Sequence, residues 1–304
     1  MKRLPLVSPV DRALFLKAQP YLDGVSSSVL AALASFTEER LYSAGESIRE
    51  PGASIDRVIF LGQGEIEVLA PSTPEKPNRI VEAPGGVGLA HHFARAPKPP
   101  GARAHTEALS LEIDIADFRQ IMEDYFSLTL RMARSSVDQI HRELAHLGPT
   151  RPAESGFAEG LLDETPAQLN LVERLARVRQ APFFRNSNLG VIAELVREDR
   201  IRHYAPGEAA WQAGGKADQM AIVLDGTFHS AGEFGEFAVG PGAQMGAWDV
   251  LGEGRFTEGW IATRPARVLS IPRNLLIDVL EDHFDFAETY LQNASRYLID
   301  CWIQ

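Results

Sequence analysis

The chain is written twice. Residues 10–68 align without a gap to residues 172–230, and the matches fall on turn-forming and punctuating residues. Pro20 pairs with Pro182, Tyr42 with Tyr204 and Gly45-Glu46 with Gly207-Glu208, while Gly52, Asp56 and Gly64 recur as Gly214, Asp218 and Gly226. After a small length difference the register resumes, with Gly88 on Gly246, Ala104 on Ala262 and Glu123-Asp124 on Glu281-Asp282. Solenoid units repeat every 20–50 residues or so. A repeat this much longer reads as a duplicated domain. The expected organisation is a first domain over 1–147, a linker over 148–166 rich in Gly, Pro and acidic residues, and a second domain over 167–304.

Each copy reads as helix, then strands, then helix. Ser8-Pro9 and Thr165-Pro166 look like N-cap and first-turn pairs opening the leading helices. Short apolar runs such as Arg57–Leu61 and Gln219–Leu224 are punctuated by glycines, as many-turned β structure requires. Gly62-Gln63-Gly64 and Asp225-Gly226 are hairpin signals. Both copies end in long helices. In the first, Phe126, Leu130, Ala133, Val137, Ile140, Leu144 and Leu147 alternate spacings of four and three, the pattern of a coiled-coil seam. Ala287, Leu291, Ala294, Leu298 and Cys301 repeat it in the second. Two readings stay open: the faces dock on their own β domains, or the first seam forms a contact with another copy.

Composition narrows the function classes. The formal net charge is −11 and the sequence pI about 5.3, which argues against a nucleic-acid partner. No apolar run of about 18 residues is present, so no membrane insertion is expected, and the start lacks the apolar core of a signal peptide. A cytoplasmic location is the expectation. Cys301 is the single cysteine, which rules out an intrachain disulfide. His91-His92, with His105 nearby, lacks further ligands at metal spacing, and no metal or cofactor is expected. Neither a G-x-S-x-G elbow nor a phosphate-binding P-loop occurs, so no enzyme is expected. The usage of Ala and Arg suggests a bacterial source.

The Tyr-x-Ala/Pro-Gly-Glu motif, the Gly-x3-Asp motif, the hairpin glycine and the closing helices resemble the cyclic-nucleotide-binding domain. That family includes the catabolite-activator-type regulators and the regulatory subunits of cyclic-AMP-dependent kinase. The resemblance implies a mainly β fold with flanking helices: two tandem jelly-roll-like β barrels of the cyclic-nucleotide-binding type. It also implies a phosphate cassette of the form Phe-Gly-Glu-Leu-Ala…Pro-Arg-Ala-Ala, in which Glu holds the ribose and Arg the cyclic phosphate.

Neither copy keeps those side chains. In the first, Gly88 stands at the Gly, Leu89 at the Glu and Lys98 at the Arg, and Pro99 and Pro100 supply no backbone N–H where donors are needed. Lysine keeps the charge and loses the bidentate fork; the ordinary fate of such a residue is a solvated loop lysine. In the second, Gly246 keeps the Gly, Ala247 replaces the Glu, and Phe256 replaces the Arg. Arg255 is adjacent, but alternation along an extended chain points it the other way. Each missing charge-assisted bond costs about 1.5–3 kcal/mol. Trp248 and Trp260 flank this second loop and, with Phe256, are expected to fill it.

No DNA-reading helix or inhibitory basic segment can be fitted to the sequence. The expected function is therefore a non-enzymatic regulatory or scaffold protein that does not bind cyclic AMP in the standard way and acts through a protein partner or self-association, with Leu130, Ala133, Val137, Ile140 and Leu144 as the seam. The alternative is a sensor of altered specificity for a small nucleotide-like ligand.

Overall fold

The computed structural model describes residues 8–69, 78–147, 169–185, 187–197, 200–232, 237–252 and 254–303. The expected linker, and Thr165-Pro166 within it, lie outside the described residues. The chain divides into two compact units, Met1–Ser135 and Ser136–Gln304.

The first unit opens with α1 (Pro9–Lys17), where the Ser8 hydroxyl accepts from the Asp11 amide at 3.1 Å and Pro9 takes the first helical position. A 3-10 turn (Pro20–Leu22) and α2 (Ser27–Ser35) follow. Eight strands come next: β1 (Glu38–Tyr42), β2 (Ser47–Arg49), β3 (Arg57–Gln63), β4 (Glu65–Leu69), β5 (Arg79–Glu82), β6 (Gly85–Val87), then, after the short α3 (Leu89–Phe93), β7 (Gly101–Ala104) and β8 (Ala108–Asp114). They form two four-stranded antiparallel sheets, β1-β8-β3-β6 and β2-β7-β4-β5. This pairing is the double-sheet jelly roll. Ile59, Leu61, Ile66, Val68, Val87, Ala102, Ala104 and Ala108 fill it. The hairpin signal at 62–64 becomes the β3–β4 turn. Gly64, at φ 81°, passes so close to the Glu107 carbonyl that a Cβ would lie 2.2 Å from it. Two helices close the chain's first copy, α4 (Ile115–Asp124) and α5 (Phe126–Leu147).

The second copy repeats this. Its leading helix α6 (Leu171–Gln180) starts with a capping box, in which the Asn170 side chain accepts from the Glu173 amide and Glu173 accepts from the Asn170 amide. A 3-10 turn (Pro182–Phe184) and α7 (Leu189–Leu195) precede β9 (Ile201–Tyr204), β10 (Ala209–Trp211), β11 (Gln219–Asp225), β12 (Phe228–Gly232), β13 (Ala238–Val239), β14 (Gln244–Met245), β15 (Glu258–Ala262) and β16 (Ala266–Pro272). The sheets are β9-β16-β11-β14 and β10-β15-β12-β13, strand for strand the topology of the first. Then come α8 (Arg273–Asp282) and α9 (Phe284–Ile303). Mainly β, with helices at the flanks of two jelly rolls, is the fold class the sequence implies.

The ends of the units differ from the expectation. The first compact unit stops at Ser135, inside α5, and not at residue 147. The reason is where the second half of α5 packs. Val137 Cγ1 lies 3.1 Å from where a Cβ on Gly252 would stand, so the helix packs closely against this glycine. His141 Nε2 is 3.2 Å from Asp249 Oδ1, and Trp302 Nε1 donates to Glu143 Oε1 at 2.9 Å.

Packing within one chain also covers the apolar seam. Val137 and Ile140 are fully buried, Ala133 and Leu144 are 4% exposed, and Leu130 is partly buried. This burial fits the reading in which the face docks within its own chain. Ala287, Leu291, Ala294, Leu298 and Cys301 are likewise buried.

Candidate ligand sites

In the first unit the cassette runs from the end of β6 through α3 to the start of β7. Gly88 sits at φ 104°, a conformation that favours glycine. A Cβ there would stand 3.2 Å from the Arg57 carbonyl and 3.3 Å from Ile55 Cγ2. Leu89 is partly buried, Lys98 is exposed, and Pro99 and Pro100 are buried. The loop is tied to the β2–β3 connection by its carbonyls: the Gly52 amide donates to Pro99 at 2.8 Å, and Arg49 donates to Pro100 through Nε at 3.2 Å and Nη2 at 2.9 Å. The prolines lack donors, and their acceptors hold the loop.

Arg49 is the residue the cassette comparison misses. Its Nη1 lies 3.7 Å from the Cβ position of Gly88, so the guanidinium reaches from one sheet to the loop that follows the other. Burial, opposed by the nearby Asp56 carboxylate, lowers its pKa. In the sheet, Arg49 is opposite Ala102, Ala102 opposite Val68, and Val68 opposite Arg79. Residues paired across antiparallel strands project to one face, and Ala102 and Val68 belong to the core. The row therefore faces the barrel interior with an arginine at each end. Arg79 is exposed. His91 on α3 is pushed down to about 4, by burial first and then by the positive charges of Arg79 and Arg49. Deeper on the β1 side, the buried Glu112 carboxylate accepts from Ser110 Oγ at 3.0 Å and from the Tyr42 hydroxyl. Burial and that carboxylate raise the Tyr42 pKa well above the usual phenol range.

The second unit carries the same row with other chemistry. Trp211, the repeat partner of Arg49, is opposite Trp260, and Trp260 is opposite Ser230, whose amide donates to Phe237 at 2.8 Å. Trp211 stacks on Phe256 with centroids 4.3 Å apart and planes at 12°, and Phe237 meets Trp260 edge-on at 5.1 Å. Gly246, at φ 69°, lies under the stack, where a Cβ would be 2.9 Å from Phe256 Cε1 and 3.3 Å from Trp211 Cζ2. Phe256 is buried and Arg255 exposed, its guanidinium donating to the Gly214 carbonyl at 2.8 Å. Ala247 is buried, and its carbonyl accepts from the Tyr290 hydroxyl at 2.9 Å. Gly214 donates to the Phe256 carbonyl where Gly52 donates to that of Pro99, so the two loops differ in register by a residue at this point.

Of the residues expected to fill this site, Trp248 sits elsewhere, and Trp260 lines the row opposite Trp211. Trp248 packs into a helical cluster, 5.1 Å from Phe183, 5.9 Å from Tyr290 and 5.7 Å from Tyr297. Trp260 belongs to the barrel core. The ring on Phe256 is Trp211. The signal for it was available, because the ungapped register pairs Trp211 with Arg49. His92 meets Phe93 edge-on at 5.5 Å, and His105 pairs with Glu65 at 3.8 Å. Among the described residues no group of three or more His, Cys, Asp or Glu is placed to hold a metal ion, and no helix is long and apolar enough to cross a membrane.

No family model and no curated protein sequence matches the chain. Among solved structures, it is similar to the regulatory subunit of a cAMP-independent protein kinase A from Trypanosoma brucei, a triple mutant bound to cAMP in its A site. That match has 14% identity over 93% of each chain and a TM-score of 0.35. The corresponding subunit from Trypanosoma cruzi, bound to guanosine, matches at 12% identity over 88% of this chain and 84% of that one, with a TM-score of 0.34. The regulatory domain of Toxoplasma gondii protein kinase A with cAMP matches at 13% identity over 91% and 95%, with a TM-score of 0.36. The class of the protein rests on its own topology: two jelly rolls, each with helical flanks.

Proposed function

We propose that the chain is a non-enzymatic regulatory module, built from two domains of the cyclic-nucleotide-binding type whose cassettes no longer read cyclic AMP in the standard way. The observation that carries this reading is the Trp211–Phe256 stack lying over Gly246. The chain's own rings occupy the place where a ligand's phosphate would be cradled, so the second unit acts as a fixed structural element. In the first, Lys98 points to solvent, and Leu89 stands where a ribose ligand is needed. Output through a protein partner fits the leading helices. Val10 and Leu14 on α1 are 67% and 61% exposed, and Val172 on α6, the repeat partner of Val10, is 72% exposed. Apolar side chains kept at the surface at matching places suit docking to another protein.

The test is thermal unfolding of the full chain with millimolar cyclic AMP, cyclic GMP and common cyclic dinucleotides. A ligand at about 100 times its Kd adds ~2.7 kcal/mol to stability, enough to move the midpoint by a few degrees. No shift is expected with any of them. A shift with cyclic AMP that disappears in Lys98→Ala would show a working cassette and end this reading.

A further inference from the structure

We infer that the second unit takes a carboxylate group on the open guanidinium edge of Arg177, where α6 meets the Asp225 end of β11 beside Arg267. The site uses no residue of either cassette and goes beyond the reading above, so either can fail without the other.

Three observations carry it. The first is placement. Arg177 is 6% exposed, and its Nη1 donates to the Leu224 carbonyl at 2.6 Å. The next residue, Asp225, accepts from Arg267 Nε at 2.6 Å across the β11–β16 pair. Two guanidinium groups thus stand around one carboxylate, which is already bonded to Arg267. Glu173, a turn earlier on α6, gives an oxygen to the Asn170 amide at 2.8 Å. The second observation is the open edge. Among the described residues the Nε and Nη2 of Arg177 donate to no group, and solvent still reaches them. A guanidinium plane already fixed by one acceptor loses little freedom on taking a second. The third is contrast. In the first unit Phe15 stands at the place of Arg177, and Gln63 and Leu109 pair where Asp225 and Arg267 do. The Phe15 ring covers Gly62 so closely that a Cβ there would lie 2.0 Å from its Cε2. The fold is served by an apolar contact at this place, so the charges are a property of the second unit.

A carboxylate fits this chemistry. The parallel N–H bonds at Nε and Nη2 match its two oxygens. Its single negative charge balances two arginines and Asp225, whereas a dianion would exceed them. Burial lowers the Arg177 pKa against the pull of Asp225; Arg267 adds to the fall, and Glu173 opposes it least. A cation held largely out of water without a bonded counter-ion is costly, and an anion on its open edge offsets that cost. The carboxylate could be a free small acid or an acidic side chain of a partner protein, and the two sources are separable.

Nitrogen-15 NMR of the arginine Nε–H groups of the full chain tests the site. The Arg177 signal is identified by its loss in Arg177→Lys, and independently by its proton contacts with the Leu224 segment. The chain is titrated with sodium acetate, N-acetylglutamate methylamide and its uncharged analogue N-acetylglutamine methylamide, with sodium chloride at matched ionic strength. A saturable shift of the Arg177 signal with one or both carboxylates, and none with the amide or chloride, is expected. Equal affinity for acetate and the glutamate compound identifies a free acid as the source; tighter binding of the glutamate compound identifies a peptide side chain. Arg177→Met should weaken Kd, read from the backbone amides of residues 224–227, by about tenfold or more. Arg179→Gln, an exposed position on the same helix, should leave it unchanged. An Arg177 signal that stays still up to roughly 0.1 M acetate, or that moves equally with chloride or the amide, overturns the site and leaves a hydrated arginine. Binding that survives Arg177→Met, or is lost in Arg179→Gln, overturns it too. None of these outcomes bears on the cyclic-nucleotide titrations, which test the regulatory reading by itself.

Discussion

Arg49 and Trp211 hold the same place in the two copies, and each donates a side-chain N–H to a backbone carbonyl where β7 or β15 begins, that of Pro100 just before β7 in one case and that of Glu258, the first residue of β15, in the other. The staple is shared and its consequences diverge. A guanidinium has donors to spare after making that bond, whereas an indole has a single N–H and then offers only its faces. One face of Trp211 lies on Phe256, and the row ends in Phe237 against Trp260. The first barrel thereby keeps a charged inner rim and a buried carboxylate, and the second becomes an aromatic wall. One scaffold supports two different linings because the strand pairing depends on the backbone, while the lining depends on which side chains end the row.

The largest expected effect is on the filled pocket. Phe256→Ala removes a buried ring from a stack and should cost about 3–5 kcal/mol. All four tryptophans, at 211, 248, 260 and 302, lie in the second unit, so denaturant unfolding followed by tryptophan fluorescence reads that loss directly. An unchanged midpoint would mean that the stack does not hold the loop, and the contrast with the first unit would collapse.

Acid is next, and it acts on the first unit. His91 titrates near 6.5 when unfolded and is pushed down to about 4 when folded. Between those values the unfolded chain binds the additional proton, so stability falls as the pH drops from 6.5 towards 4. The loss is at most about 3 kcal/mol. His91→Phe should flatten that part of the stability–pH curve. A curve of unchanged slope would place the imidazole in solvent, away from the arginines.

A third effect concerns the second half of α5. Asp249 is buried, 3.2 Å from His141 Nε2, and accepts from Thr257 Oγ1 at 2.9 Å. Asp249→Ala should cost about 1.5–3 kcal/mol and raise amide exchange over residues 137–147. Protection that stays the same there would show that apolar packing around Val137 alone holds the helix. The smallest effect belongs to Lys98→Ala, which should stay within about 0.5 kcal/mol in the same unfolding measurement, as exposed substitutions do. A larger change would give the cassette lysine a role that its exposure denies.

Much of the fold was legible in the sequence because a duplication displays its own constraints. Glycines at 52, 64 and 88 recur at 214, 226 and 246, and all six have positive φ, which makes these places intolerant of other residues in both copies. The start of the second leading helix was harder to read. Thr165-Pro166 carried a strong local signal, and the described helix begins at Leu171 behind Asn170.

The candidate site was less legible for a different reason. Reading the cassette along the chain draws attention to Lys98 and Phe256, whereas the groups that meet Gly88 and Gly246 come from β2 and β10, some forty residues earlier in each copy. The alternation in Phe126–Leu147 fixed an apolar face on α5 and left its partner open; Gly252, which has no side chain to obstruct Val137, supplied one from the second compact unit. By itself the sequence determined two copies, their strands and turns, and the loss of the cassette's own ligands, since these follow from local periodicity and backbone geometry. The tertiary structure alone decided which side chains face one another across each sheet, because strand pairing joins residues distant in sequence, and that choice made one barrel rim charged and the other aromatic.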